Sequence, residues 1–114
     1  SMNSGCAVVA SHAIGSVPIL IKDGINGLVY ENGNKRHLEV QVCRLLDDDV
    51  YRQKIGESAY YTISEKWNAQ IAAERFVGLV KALLQGKEVN GLFDDGPCSE
   101  AENLSNGWYH TNEF

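Results

Sequence analysis

The residues best suited to chemistry are four small or polar ones in a short stretch: Ser11, His12, Gly15 and Ser16. They end and follow Gly5-Cys6-Ala7-Val8-Val9-Ala10-Ser11, a short apolar run bounded by small residues. Such a run predicts a strand buried on both faces, as in parallel sheets. Open α/β sheets bind ligands at the carboxyl ends of their strands, which is where His12 falls. An imidazole there can donate to a phosphate or a sugar hydroxyl. The plainer alternative is a loop histidine hydrogen-bonded to backbone. Gly15 and Ser16 can offer backbone N–H groups to a phosphate, although tight loops contain such residues for conformational reasons alone.

Other chemistries find little support. There is no phosphate-binding P-loop, no nucleophile elbow, no HExxH and no zinc-type Cys/His spacing. Acid–base carboxylates would have to be drawn from Asp23, Glu31 and Asp47-Asp48-Asp49, all in turn signals where aspartate is common anyway. Consecutive aspartates at a helix joint do not converge on one ion, so no metal site is expected. Cys6, Cys43 and Cys98 are odd in number and widely spaced, which predicts reduced thiols in a cytoplasmic setting, with Cys6 a small core residue.

The elements that must position these residues can be read in order. Pro18 suits a first helical position, so Val17 to Lys22 predicts one or two helical turns. Asp23-Gly24 and Asn26-Gly27 are turns leading to a short strand, Leu28-Val29-Tyr30. Asn34 is suited to cap a helix over Lys35 to Leu46 with Leu38, Val42, Leu45 and Leu46 on its apolar face. The aspartate triplet ends it and caps a second helix, Val50 to Lys66, facing inward through Val50, Ile55, Ala59, Ile63 and Trp67. Gly56 inside that helix costs about 1 kcal/mol relative to alanine. Asn68 is suited to cap a third helix, Ala69 to Leu84, which should bury Ile71, Ala72, Phe76, Val80, Leu83 and Leu84, with Gly86 as its stop. From Lys87 the periodicity is lost, yet Phe93, Trp108, Tyr109 and Phe114 remain. A disordered tail is usually poor in aromatics, so residues 87–114 are expected to pack on this domain or on another surface.

The 114 residues suffice for one domain, and 44% hydrophobic with 22% charged content is ordinary for a globular protein. The net charge is −5 and there is no basic run, so no nucleic-acid partner is expected. Lys35-Arg36-His37 reads as the solvated start of a helix. No apolar stretch approaches the ~20 residues of a membrane span, and no signal peptide is visible. Ser1-Met2 reads as a cloning remnant.

Several pieces together resemble the carboxyl-terminal end of a family-4, retaining glycosyltransferase of the GT-B fold. They are Met2-Asn3-Ser4-Gly5 with the apolar run, Gly15-Ser16-Val17-Pro18, and Lys22-Asp23-Gly24-Ile25-Asn26-Gly27-Leu28-Val29-Tyr30. Arg44-Leu45-Leu46-Asp47-Asp48, Ile55-Gly56-Glu57-Ser58-Ala59 and Trp67-Asn68 complete the set. The resemblance implies an α/β chain: a truncated Rossmann-like fragment with few parallel strands and at least three amphipathic helices. Residues 2–86 would be the end portion of the nucleotide-sugar-binding domain. It implies a nucleotide-diphosphate sugar donor, a saccharide or envelope acceptor, no cofactor and no metal. Ser11, His12, Gly15 and Ser16 would then border the donor cleft. The family's two glutamates, seven residues apart, would precede residue 1 together with an N-terminal half, so no catalytic residue is expected here. The loop also lacks the Gly-Gly pair and glutamate common in relatives.

Two functional readings follow. One is the terminal piece of a hexosyltransferase of polysaccharide biosynthesis, inactive alone, cytoplasmic and peripheral to the inner membrane face. The other is a non-catalytic binding or assembly module. In both, open sheet edges and apolar helix faces predict self-association.

Overall fold

In the computed structural model, which describes residues 1–112, two parallel strands form the frame. Phe114 lies outside the described residues. Strand β1 (Val9–Ser11) pairs with β2 (Leu28–Tyr30), aligning Val9 with Leu28, Ala10 with Val29 and Ser11 with Tyr30. Between them lies α1 (Val17–Leu20), with Pro18 in its first turn. Side chains alternate across a strand, and both faces are covered. Leu28 packs with Leu45 and Ile55 on one face, and Val29 with Ala10, Val17 and Ile21 on the other.

The helices begin where short polar side chains satisfy their first N–H groups. Asn34 accepts from the His37 N–H to open α2 (Lys35–Asp47), and Asp48 accepts from the Tyr51 N–H to open α3 (Asp49–Tyr61). A π-helical turn, Thr62–Lys66, extends α3. Asn68 accepts from the Ile71 N–H to open α4 (Ala69–Leu84), and Gly86 at φ 68° ends it. Parallel strands with four helices make this an α/β chain of truncated Rossmann-like form, as the resemblance implies.

Several expectations need correcting. Gly5, at φ 72°, closes a 3-10 turn over Met2–Ser4, so the strand is shorter than the apolar run and Cys6 is exposed rather than in the core. Met2 is itself buried, so it packs as part of the fold.

Along α2 the buried positions are His37, Gln41 and Leu45, while Val42 and Leu46 face outward. The reason is the outer edge of β2, which no strand covers. Gln41 Nε2 donates to the Val29 carbonyl at 2.9 Å, and the Glu31 N–H donates to His37 Nδ1 at 3.1 Å. The Val29 N–H donates to Asp23 Oδ1 at 2.9 Å. Buried backbone groups need partners, and here side chains serve as the missing strand. His37 therefore leaves the solvated cluster predicted for it.

Val50 on α3 is exposed because it sits in the first turn, outside the Ile55–Ala59 contact. No residue of α4 is buried: Phe76, Val80, Leu83 and Leu84 are exposed, Leu84 at 82%. A helical period shows that a face is apolar, but not that a partner covers it. The open arrangement raises the radius of gyration to 16.6 Å, against about 13 Å for a compact 100-residue domain.

Gly56 has a packing reason that offsets its helix cost. A Cβ there would run into the Gly5 carbonyl oxygen, so glycine lets α3 approach the turn before β1. Beyond Gly86 the chain turns back. Arg75 donates to the carbonyls of Asp95 and Pro97 and lies over the Phe93 ring. Trp108 and Tyr109 then pack on the cluster around Ala10 and Val29.

Candidate functional site

Because the strands are parallel and in register, Ser11 and Tyr30 finish at the same end. The loop after β1 (residues 12–16) and the turn after β2 (residues 31–34) therefore meet there. The Ser11 hydroxyl is buried and committed: it donates to Asn32 Oδ1 at 3.2 Å and accepts from the Ala13 N–H at 3.2 Å. This ties the two loops together rather than offering the hydroxyl to a ligand.

His12 is held by backbone on both nitrogens. The Asn32 N–H donates to Nδ1 at 2.9 Å, which assigns the ring proton to Nε2, and Nε2 donates to the Asn106 carbonyl at 3.1 Å. This is the loop histidine bonded to backbone, with one of its partners supplied by the tail. The signal for it lay in Asn32-Gly33, a turn whose position matters only once the strands are known to be parallel.

Gly15 and Ser16 are different. Neighbouring amides find partners: Ile14 N–H donates to the Ser11 carbonyl and Val17 N–H to the Ile14 carbonyl. Gly15 and Ser16 N–H groups donate to no group among the described residues, and both residues are exposed. Gly15 has no left-handed φ, and a Cβ there would meet nothing within 4 Å. Nothing inside the molecule thus requires glycine at this position. The space beside the two amides is open.

Glu31, seen from the sequence only as a turn acid, stands at the same end. His110 Nδ1 pairs with Glu31 Oε1 at 2.7 Å and the Thr111 N–H reaches Oε2. The hydrogen bond from His110 is the main cause that holds the Glu31 carboxyl below its ordinary value, against a smaller desolvation effect. Asp23 does not join it as a second acid, because its carboxylate accepts from the Val29 N–H and the Tyr109 hydroxyl. Asp47 to Asp49 lie at the joint of α2 and α3, where Asp48 caps and Asp49 pairs with Arg52 at 2.6 Å. Among the described residues no group of acids, histidines and cysteines could hold a metal ion. No helix of the described residues is long and apolar enough to cross a membrane.

The sequence model of Glycosyl transferases group 1 matches residues 1–62. The chain belongs to this family. The match takes in the whole strand frame, the 12–16 loop and α1 to α3, and leaves α4 and the tail outside. It also starts at Ser1, in keeping with the buried Met2. No curated protein and no solved structure matches the chain. Membership of the family implies, in general terms, a nucleotide-sugar donor and a saccharide acceptor. Among the described residues, the open amides of Gly15 and Ser16 are the donors at this end of the sheet.

Proposed function

We propose that the loop after β1 receives the diphosphate of a nucleotide-sugar donor in a retaining, family-4 hexosyltransferase of GT-B type. Gly15 and Ser16 would donate their N–H groups to phosphate oxygens, and Ser11 would hold the loop in shape through Asn32. The observation that carries the reading is the pair of adjacent, partnerless amides beside a glycine that no internal contact requires. Anions favour such successive backbone N–H groups. The catalytic acids would come from chain outside these 114 residues, so the chain alone would bind a donor without turning it over. The acceptor would be a saccharide or an envelope component, reached from the cytoplasmic side at the inner face of the membrane.

The competing reading is a non-catalytic assembly module, with which the bare apolar face of α4 is equally compatible. Both readings include self-association through that face.

The Gly15→Val variant separates them. Because a Cβ at this position meets nothing, the variant should fold like the parent while its side chain fills the space beside the amides. Calorimetric titration with a panel of nucleoside diphosphates should show binding to the parent and at least a tenfold loss in the variant. Equal affinity in both, or turnover of any nucleotide sugar by the chain alone, would overturn the proposal.

A further inference from the structure

The tail that reaches this site carries the chain's entire net charge. Residues 1–86 hold nine acids and nine lysines or arginines, whereas residues 87–114 hold six acids and one lysine. This acidic segment is tied to the sheet and its flanking elements at four points. Asp95 sits between Lys66 at 2.8 Å and Lys22 at 3.8 Å. The Asn106 carbonyl accepts from His12, and Trp108 Nε1 donates to the His12 carbonyl at 3.1 Å. The Tyr109 hydroxyl donates at 3.2 Å toward both the Val29 carbonyl and Asp23, and its ring stacks on those of His12 and His37 at about 6 Å. His110 closes on Glu31.

Between the tail and the 12–16 loop remains a cavity of about 570 Å³. Its inner wall includes His12 and Gly15, while its outer wall carries Asp94, Asp95, Glu100 and Glu102. A volume of this order suits a small ligand, but Asp94, Glu100 and Glu102, which have no ion pair among the described residues, oppose any polyanion that enters. Arg75, a cation that could have helped one, is spent on the carbonyls of Asp95 and Pro97.

We infer that residues 94–112 form an acidic strap across the carboxyl end of the sheet that disfavours a diphosphate there by its charge. This rests on the donor reading above. The Gly15 and Ser16 amides are exposed, but a diphosphate on them faces the strap's carboxylates; swinging the strap away, with release of the His12 and Glu31 contacts, removes that repulsion. The anchors divide the labour. The aromatic pair supplies partly buried apolar contact, and the ion pairs at Asp95 and Glu31 each include a side chain more than a third exposed, so they break readily.

The test is amide NMR of the full 114-residue chain titrated with inorganic pyrophosphate, for the parent, Trp108→Ala and His110→Ala. His110 is exposed, so its variant leaves the core intact should the tryptophan variant fail to fold. In the parent, pyrophosphate should shift the Gly15 and Ser16 amides and, in the same titration, move the Trp108 indole N–H away from its hydrogen-bonded position. Both variants should bind tighter, by at least tenfold for Trp108→Ala and by a smaller factor for His110→Ala. Loop shifts of equal affinity in all three proteins, with the indole N–H unmoved, would overturn the strap and leave the donor reading standing. No loop shift in any of them would overturn both.

Discussion

Replacing Gly56 by alanine sets two effects against each other. In a helix interior the change should stabilise by about 1 kcal/mol, because alanine loses less conformational entropy than glycine. The structure reverses the sign. The new Cβ would press on the Gly5 carbonyl oxygen, a backbone atom that cannot swing aside like a side-chain tip. Gly5 is fixed in turn by its left-handed φ of 72° and by its N–H bond to the Met2 carbonyl at 3.0 Å. Overpacking of a tight contact costs roughly 1–3 kcal/mol, and a backbone obstacle belongs at the upper end. The net expectation is a loss of about 1–2 kcal/mol, or a fall in Tm of roughly 5–10 °C for a chain of this size. Thermal unfolding by circular dichroism measures it. An unchanged or raised Tm would refute the close approach of α3 to the turn before β1.

Other expectations follow from the same contacts. Gln41→Leu removes the amide that satisfies the Val29 carbonyl on the open edge of β2, leaving the Tyr109 hydroxyl alone; urea unfolding should show a loss of about 1–2 kcal/mol, and an unaltered midpoint would sink the edge-capping account. Acid should release the tail. The Lys66 hydrogen bond foremost holds the Asp95 carboxyl below its ordinary 3.8, and His110 holds Glu31 below 4.5. Lowered values mean that both contributions are present above those ordinary values and are lost as pH falls through the lowered ones. Tryptophan fluorescence should therefore be constant above 4.5 and change below 3.8; a transition centred near neutrality would contradict this. Phe76→Glu on the bare face of α4 should abolish self-association seen by light scattering, and a monomeric parent at high concentration would rule that association out.

Local chemistry was legible from the sequence because it is local. Asn34, Asp48 and Asn68 cap the helices they precede, Gly86 ends α4, and Leu28 to Tyr30 form the second strand. What depended on tertiary partners was not legible. His37 and Gln41 are polar residues on a helix, and only an uncovered strand edge makes them interior. Phe76, Leu83 and Leu84 have a core-like period, but period carries no information about a covering surface. Of the four candidate site residues, all reach the carboxyl end of the sheet. Ser11 and His12 are taken up by internal hydrogen bonds, which leaves Gly15 and Ser16 as the open donors. The tail's role was hidden because its aromatics announce packing without naming the place, and contacts such as Trp108 to His12 span 96 positions.

The central claim is that the amides after β1 hold a donor's diphosphate. Mapping backbone amide shifts of the full chain on addition of nucleoside diphosphates tests it most directly. The account predicts the largest shifts at Gly15 and Ser16, with smaller ones across the 31–34 turn. Shifts confined to α4, with Gly15 and Ser16 unmoved at saturation, would contradict it.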